Sequence, residues 1–448
     1  MRIGCQMGKY KSYFQCISDQ CNETFSLTDI VYRCPRCENL LEVKHDFSAL
    51  KKTTADEWMR IFDNRYMRTI YPYGSGVWGK KEWVYPNISD ENIVSIYEGG
   101  TNLFWAERFG DEIGLEDLWI KQCGNSHTGS FKDLGMTVLV SAVKEMISNG
   151  ANIHAVICAS TGDTSASVAS YCAAAGIPAV VLLPKNKIST AQLIQPLANG
   201  AITIALDTDF DGCMKIISEL SLNKNFYLAN SVNPLRIEGQ KTVSIETVQQ
   251  DDWVVPDWVI VPSGNLGNVT AVGLGFKMMK MLGLIKSLPR IIAAQSANAN
   301  PLYKNFRNNY KTFQSVQAQP TAATAIQIGN PVSYNRAVPI LREFNGIVEQ
   351  ATEDELSHAA ALADKHGMFV CPQTGVALAC MIKLVNEDVI SPKDKVIVLS
   401  TASGLKFPEF KVNYHEGLLN DVNPRLRQKP IELPGKIDNV LSTINKLL

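Results

Sequence analysis

Short apolar runs that end in loops of Gly, Ser, Thr and Asn, several of them followed by a helical pattern, recur along this chain. Residues 118–122, 154–158, 177–183, 201–206, 226–228, 257–261, 290–294, 368–371 and 396–399 read as strands. Helical spacing marks 136–146, 164–175, 189–198, 211–220 and a long segment at 238–249. Strands separated by helices imply a parallel sheet covered on both faces. The expected fold class is therefore α/β, with doubly wound parallel sheets. Ligands of such sheets sit beyond the carboxyl ends of the strands, so the loops there are where chemistry is sought.

One of those loops carries a lysine. Strand 118–122 runs into G-N-S-H-T-G-S-F-K-D-L-G-M at 124–136, with Lys132 just inside a helix start. Ser130 is the expected cap of that helix. A lysine at the positive end of a helix has its pKa lowered and becomes a better nucleophile. A second loop, V-I-V-P-S-G-N-L-G-N-V at 259–269, leads from a strand to a helix through Gly and Asn. Its free backbone N–H groups suit a phosphate. The spacing is neither a dinucleotide fingerprint nor a P-loop, so a small monophosphate fits better than a nucleotide. Two further strand-end loops are rich in hydroxyls, A-S-T-G-D-T at 159–164 and L-S-T-A-S-G at 399–404. A reactive lysine, a phosphate cup and hydroxyl loops together point to pyridoxal 5'-phosphate chemistry.

Bulk properties bound the alternatives. The chain has 448 residues, 46% hydrophobic, enough for two or three domains. Its 43 basic and 44 acidic residues leave a net charge of −1. No global field draws it to nucleic acid or to a membrane, so a small-molecule partner is expected. The N-terminus shows no apolar signal core, and no run is long enough to span a bilayer. The cytoplasm is the expected location, with a short organelle address left open. Eleven cysteines in such a chain suggest thiols or metal ligands. Cys16, Cys21, Cys34 and Cys37 form a C-x4-C and a C-x2-C about a dozen residues apart. They could hold a structural zinc in a ribbon, or pack as reduced thiols without metal.

The motifs as a set resemble those of the threonine synthases, within the tryptophan synthase β-like class of pyridoxal-phosphate enzymes. The resemblance runs from about residue 27 to about residue 407 and is closest to the plant type. It is carried by Y-G-S-G-V-W-G-K-K-E-W (73–83), N-L-F-W-A-E-R-F-G (102–110), H-T-G-S-F-K-D-L-G-M, A-S-T-G-D-T-S and A-N-A-N-P-L-Y (297–303). It implies a zinc-ribbon-like subdomain at 1–50, the start of a large catalytic domain at 51–134, a small domain at 135–232, and the rest of the large domain with a C-terminal wrap at 233–448.

The implied reaction turns O-phospho-L-homoserine and water into L-threonine and phosphate. Lys132 would bind the cofactor as an imine and then serve as general base. Gly264, Asn265, Leu266, Gly267 and Asn268 would cup the cofactor phosphate. Thr401 would face the pyridine nitrogen, and Asp163 the 3-oxygen. Ser160, Thr161 and Thr164 would bind the substrate carboxylate; Asn230, Ser231 and Arg236 would bind its phosphate. Arg236 is the strongest of these, because a guanidinium matches phosphate geometry and a cation at a helix start wants an anion. A homodimer is implied, as is an S-adenosylmethionine effector site near Trp58, Tyr71, Trp78 and Trp83; each of those aromatics also reads as core. Ser403, Ser263 and Gln373 depart from the family, which has histidine, glycine and histidine there. They leave open a divergent paralogue that replaces or eliminates groups on another phosphorylated amino acid.

Overall fold

The computed structural model describes residues 10–185 and 190–448. The first nine residues of the ribbon segment, and Ser189 at the start of an expected helix, lie outside the described residues. The strands are β1 (Ser12–Cys16), β2 (Thr24–Phe25), β3 (Leu41–His45), β4 (Leu103–Trp105), β5 (Asp117–Gln122), β6 (Ala155–Ala159), β7 (Ala179–Pro184), β8 (Ile202–Leu206), β9 (Phe226–Leu228), β10 (Trp258–Pro262), β11 (Arg290–Ser296), β12 (Ile347–Ala351) and β13 (Lys395–Ser400). They form three sheets, ordered β2-β1-β3, β12-β11-β10-β13-β5-β4 and β8-β7-β6-β9. The last two are the doubly wound sheets of an α/β fold, the larger and the smaller sheet below.

Both sheets reverse their winding at one point. In the larger, the chain moves outward from β10 to β11 and β12, then returns on the other side of β10 as β13. In the smaller, it moves outward from β6 to β7 and β8 and returns on the other side of β6 as β9. Crevices open at such reversals. All five residues of β6 and all five of β10 are buried, as strands covered on both faces must be.

Several expected elements differ. Residues 368–371 are not a strand. Phe369 has φ 49°, Val370 makes one isolated bridge to Ser403, and Cys371 caps the helix Pro372–Asn386. The run is apolar because it enters a buried helix. The strand it was expected to supply is β12, whose I-V-E-Q-A sequence is half polar because it lies at the sheet edge. The larger sheet is also mixed, since β4 pairs antiparallel with β5. The long helix at 238–249 is two helices, Leu235–Gln240 and Thr242–Gln250, meeting at Lys241. Beyond residue 423 the tail is exposed, as a surface wrap would be, but it ends in a helix, Ile437–Leu447, that buries no residue.

The Lys132 helix (Lys132–Ser148) and the Arg236 helix (Leu235–Gln240) touch backbone to backbone. A Cβ on Gly239 would lie 1.7 Å from the Leu134 carbonyl oxygen, and one on Gly135 would lie 2.6 Å from that of Arg236. Neither obstacle is a movable side-chain tip. Gly239→Ala should therefore lose about 1–3 kcal/mol of stability through overpacking. Urea denaturation measures the loss, and an unchanged midpoint would contradict the contact.

Candidate active site

Five strand ends converge. In the larger sheet β10, β13 and β5 are neighbours, and their loops carry Gly264 to Leu266, Thr401 and Lys132. In the smaller sheet β6 and β9 are neighbours, and theirs carry Ser160 to Asp163 and Asn230 to Arg236. The Lys132 loop is sewn to the β13 loop by backbone bonds. Gly124 N donates to Ser400 O at 3.2 Å, Phe131 N to Thr401 O at 2.9 Å, and Ser403 N to Gly129 O at 2.9 Å. Gly124 has no room for a side chain there, since a Cβ would lie 2.3 Å from Ser403 N.

Lys132 is half-buried, with Nζ 3.9 Å from the centre of the Phe131 ring. Burial lowers its pKa to about 7; Arg236 and Lys406 push the same way and Asp163 opposes them. The shift has the expected direction, but its causes are desolvation and neighbouring cations and not the helix end. Ser130 is not the cap. Phe131 occupies that position without a side-chain bond, and Ser130 Oγ is buried without a partner. Asp133 is also more than a first-turn acid. Its carboxylate accepts from Thr128 N at 2.8 Å, Thr128 Oγ1 at 2.5 Å and Ser167 Oγ at 2.7 Å. It thereby fixes the Lys132 loop to the Asp163 helix (Asp163–Ala175).

Arg236 is 4% exposed, and among the described residues no carboxylate pairs with it. It donates to Ala229 O at 3.0 Å and to Thr164 Oγ1 at 3.4 Å. Burial lowers its pKa to about 10. A buried guanidinium without a counter-ion is costly unless an anion joins it. Asn230 is otherwise engaged: its amide oxygen accepts from Ala159 N at 3.0 Å and its nitrogen donates to Ala159 O at 2.9 Å. It clamps the end of β6 to the end of β9. Ser231 is half-buried beside it, as are Ser160, Thr161 and Thr164 at the amino end of the Asp163 helix.

The 263–268 loop enters the helix Gly267–Met281 through Leu266, whose φ is 64°. Gly264 is pressed on Ile326, 2.8 Å from a would-be Cβ, whereas Gly267 faces open space, with Ser333 Oγ the nearest atom at 3.9 Å. Asn265 anchors the loop, its carbonyl accepting from Ser333 N at 3.0 Å. Asn268 Oδ1 and Ser130 Oγ are buried without partners. Room for a small group beside Gly267 and the unpaired Ser130 Oγ, two residues before Lys132, fit a small phosphorylated cofactor. Thr401 is 5% exposed; its hydroxyl has a distant thiol partner, Cys371 Sγ at 3.9 Å.

The departing positions behave differently. Ser263 Oγ donates to Val261 O at 2.8 Å, and Ser403 Oγ caps a tight turn by accepting from Leu405 N at 3.3 Å. Gln373 is 2% exposed, with both amide atoms unpaired. Lys406 and Arg336 were missed. Lys406 pairs with Asp163 at 3.2 Å, and Arg336 joins Ser333 Oγ to the Leu41 carbonyl. The signal for Lys406 was a cation directly after the hydroxyl loop.

Two sites lie elsewhere. The Sγ atoms of Cys16, Cys21, Cys34 and Cys37 are all within 4.8 Å of one another, with Cys16–Cys37 at 3.4 Å and Cys21–Cys34 at 3.5 Å. Tetrahedral zinc with bonds of about 2.3 Å needs sulfurs about 3.8 Å apart, so the set fits. Hydrogen bonds from Asn39 lower the Cys37 thiol to about 6, while burial raises Cys16 to about 12. Trp58, Trp78 and Trp83 are buried, and Trp58 and Trp83 pack on Phe62; only Tyr71, 53% exposed, is left to face an effector.

The chain is similar to known proteins throughout. Residues 94–402 match the family described as pyridoxal-phosphate dependent enzyme. Threonine synthase 2, chloroplastic, of Arabidopsis thaliana is 53% identical over 95% of this chain and 83% of its own. The threonine synthase of Methanocaldococcus jannaschii is 37% identical over 89% of this chain and 94% of its own. The crystal structure of Escherichia coli threonine synthase superposes with a TM-score of 0.66, covering 97% of this chain and all of that one at 20% identity.

A depressed lysine has a direct signature. Labelling of Lys132 by a neutral amine-reactive reagent, read by peptide mass, should rise with pH through a midpoint near 7. Arg236→Met should move that midpoint up, because one cation that opposes protonation is gone. A midpoint near the ordinary value of about 10.4 would contradict this electrostatic picture.

Proposed function

Because the chain belongs to the threonine synthase family of pyridoxal-phosphate dependent enzymes, we propose that it converts O-phospho-L-homoserine and water into L-threonine and phosphate. The observation that carries this reading is Arg236, a buried cation with no carboxylate partner among the described residues, beside an activated lysine. Simple deamination of serine or threonine needs no such anion site.

The roles follow from position. Arg236 grips the substrate phosphate with Ser231, and Asn230 holds the two strand ends that carry them. Ser160, Thr161 and Thr164 bind the α-carboxylate at the amino end of the Asp163 helix. Gly264, Asn265, Leu266, Gly267 and Asn268 would hold the cofactor phosphate, Thr401 would meet the ring nitrogen, and Asp163 would face the 3-oxygen. The cofactor, when bound, supplies the sink for the electrons left on carbon. Lys132 Nζ, about half unprotonated at pH 7, takes the proton from Cα and hands it on before it takes the second from Cβ; phosphate then leaves from Cγ and water adds at Cβ. The motive for a divergent paralogue weakens, because Ser263 and Ser403 are absorbed by local hydrogen bonds.

Product analysis tests the reading. O-phospho-L-homoserine should yield threonine and phosphate in equal amounts, and Lys132→Ala should abolish both. Release of phosphate with 2-oxobutyrate instead would overturn it. The same assay with and without S-adenosylmethionine decides the effector reading, which rests on the 73–83 motif and exposed Tyr71.

The cysteine cluster is read as a structural zinc site, because its four sulfurs lie within 4.8 Å of one another. Purified protein should carry about one zinc per chain by elemental analysis. Cys34→Ser should lose the metal and lower the melting temperature, while a wild-type melting curve in metal-free protein would refute the assignment. Light scattering on the same samples should return twice the chain mass, the homodimer, for which the exposed Phe104 and Trp105 of edge strand β4 offer a surface.

A further inference from the structure

Lys406 has no role in the scheme above, yet it is the cation that joins the two halves of the site. It closes the tight turn Gly404–Lys406, which Ser403 caps. Gly404 lets that turn press on the Phe369 carbonyl oxygen, 2.6 Å from a would-be Cβ. The Lys406 stem lies along Gly129, whose φ is 80° and whose would-be Cβ is 3.0 Å from Lys406 Cδ.

Its ammonium makes three contacts. Nζ donates to Thr128 O at 2.9 Å, donates to Gln195 Oε1 at 2.9 Å, and pairs with Asp163 Oδ1 at 3.2 Å. An ammonium has three donors, so none is spare. Thr128 lies in the Lys132 loop of the larger sheet. Asp163 and Gln195 lie on two helices of the smaller sheet, Asp163–Ala175 and Thr190–Ala198. One side chain therefore ties both helices to the lysine loop.

The charge matters as much as the tether. A bare carboxylate beside an electron-rich ring oxygen would repel it, and Asp163 is placed to be that carboxylate. We propose that Lys406 is a positioning residue that fastens the Asp163 and Gln195 helices over the site and neutralises Asp163 beside the cofactor oxygen. The second half rests on the cofactor reading above; the first does not. The charged groups acting on Lys132 are Arg236, Asp163 and Lys406.

Two readouts on Lys406→Met and Lys406→Arg test this. Hydrogen–deuterium exchange on cofactor-free protein should speed up roughly tenfold in 126–131 and 193–198 for Lys406→Met, with protection restored in Lys406→Arg. In cofactor-loaded protein, the pH midpoint of the visible band should rise by about one pH unit in Lys406→Met, because a cation is lost and Asp163 is left bare. Adding Asp163→Asn should bring it back, since the two charge effects are coupled. Wild-type exchange and a wild-type midpoint in Lys406→Met would overturn the inference, even if the melting temperature fell. Should Lys406→Met not fold, Gln195→Leu removes one contact; exchange must then quicken in 193–198, and unchanged exchange there counts against the tether. A wild-type protein without a visible band would refute the cofactor reading, leaving exchange to decide the tether.

Discussion

The proposed site depends on one close contact, the backbone crossing of the Lys132 and Arg236 helices at Gly135 and Gly239. The lysine and the arginine sit in the first turns of helices that belong to different strand ends. They reach one another because two glycines let the helix axes approach. Packing at this distance leaves no slack, so the relative position of the two helix starts that carry Lys132 and Arg236 is set by backbone.

The contact is buttressed from the N-terminal ribbon. His45 on β3 meets Glu238 of the Arg236 helix at 2.6 Å, and Lys241 meets the same carboxylate at 2.5 Å. All three are buried; the opposite charges of Lys241 and Glu238 offset the cost of burial, while burial and Lys241 favour a neutral His45. Lys241 stands where the two helices 235–240 and 242–250 meet, so the ion cluster also stabilises that break. The same strand offers the Leu41 carbonyl to Arg336, which bonds Ser333, which in turn holds Asn265 of the glycine loop. The cysteine ribbon thus supports both the anion side and the phosphate side of the site from behind.

Much of this was legible because strand-end loops have a local grammar. Apolar runs, then Gly, Ser, Thr or Asn, then helical spacing, located all four motif loops and the lysine. What the sequence hid is non-local. Ser130 looks like a cap, but the bonds from Phe131 to Thr401 and from Ser403 to Gly129 hold its segment in another geometry. Strand β12 escaped because an edge strand need not be apolar. Residues 368–371 imitated a strand because a buried helix entry is equally apolar. Asn230 reads as a ligand, and its role as a clamp between β6 and β9 is not visible in the sequence. The partners of Asp133 and Lys406 lie on other elements, which no spacing rule reports.

The electrostatics of the site have a built-in order. Without ligand, burial first and then Arg236 and Lys406 lower the Lys132 pKa to about 7, so that about half of the amine is unprotonated at neutral pH, while Asp163, itself paired with Lys406, opposes them. That state favours the amine as a nucleophile. The same positive excess attracts anions, and a phosphate bound to Arg236 brings more negative charge than Arg236 has positive. On the proposed reading a phosphate seated at Arg236 would offset that cation and raise the proton affinity of the amine. A base that strengthens only when its substrate is in place removes a proton from bound substrate more readily than from anything that lacks the phosphate. On that reading, selectivity for a phosphorylated amino acid would follow from the placement of one buried arginine.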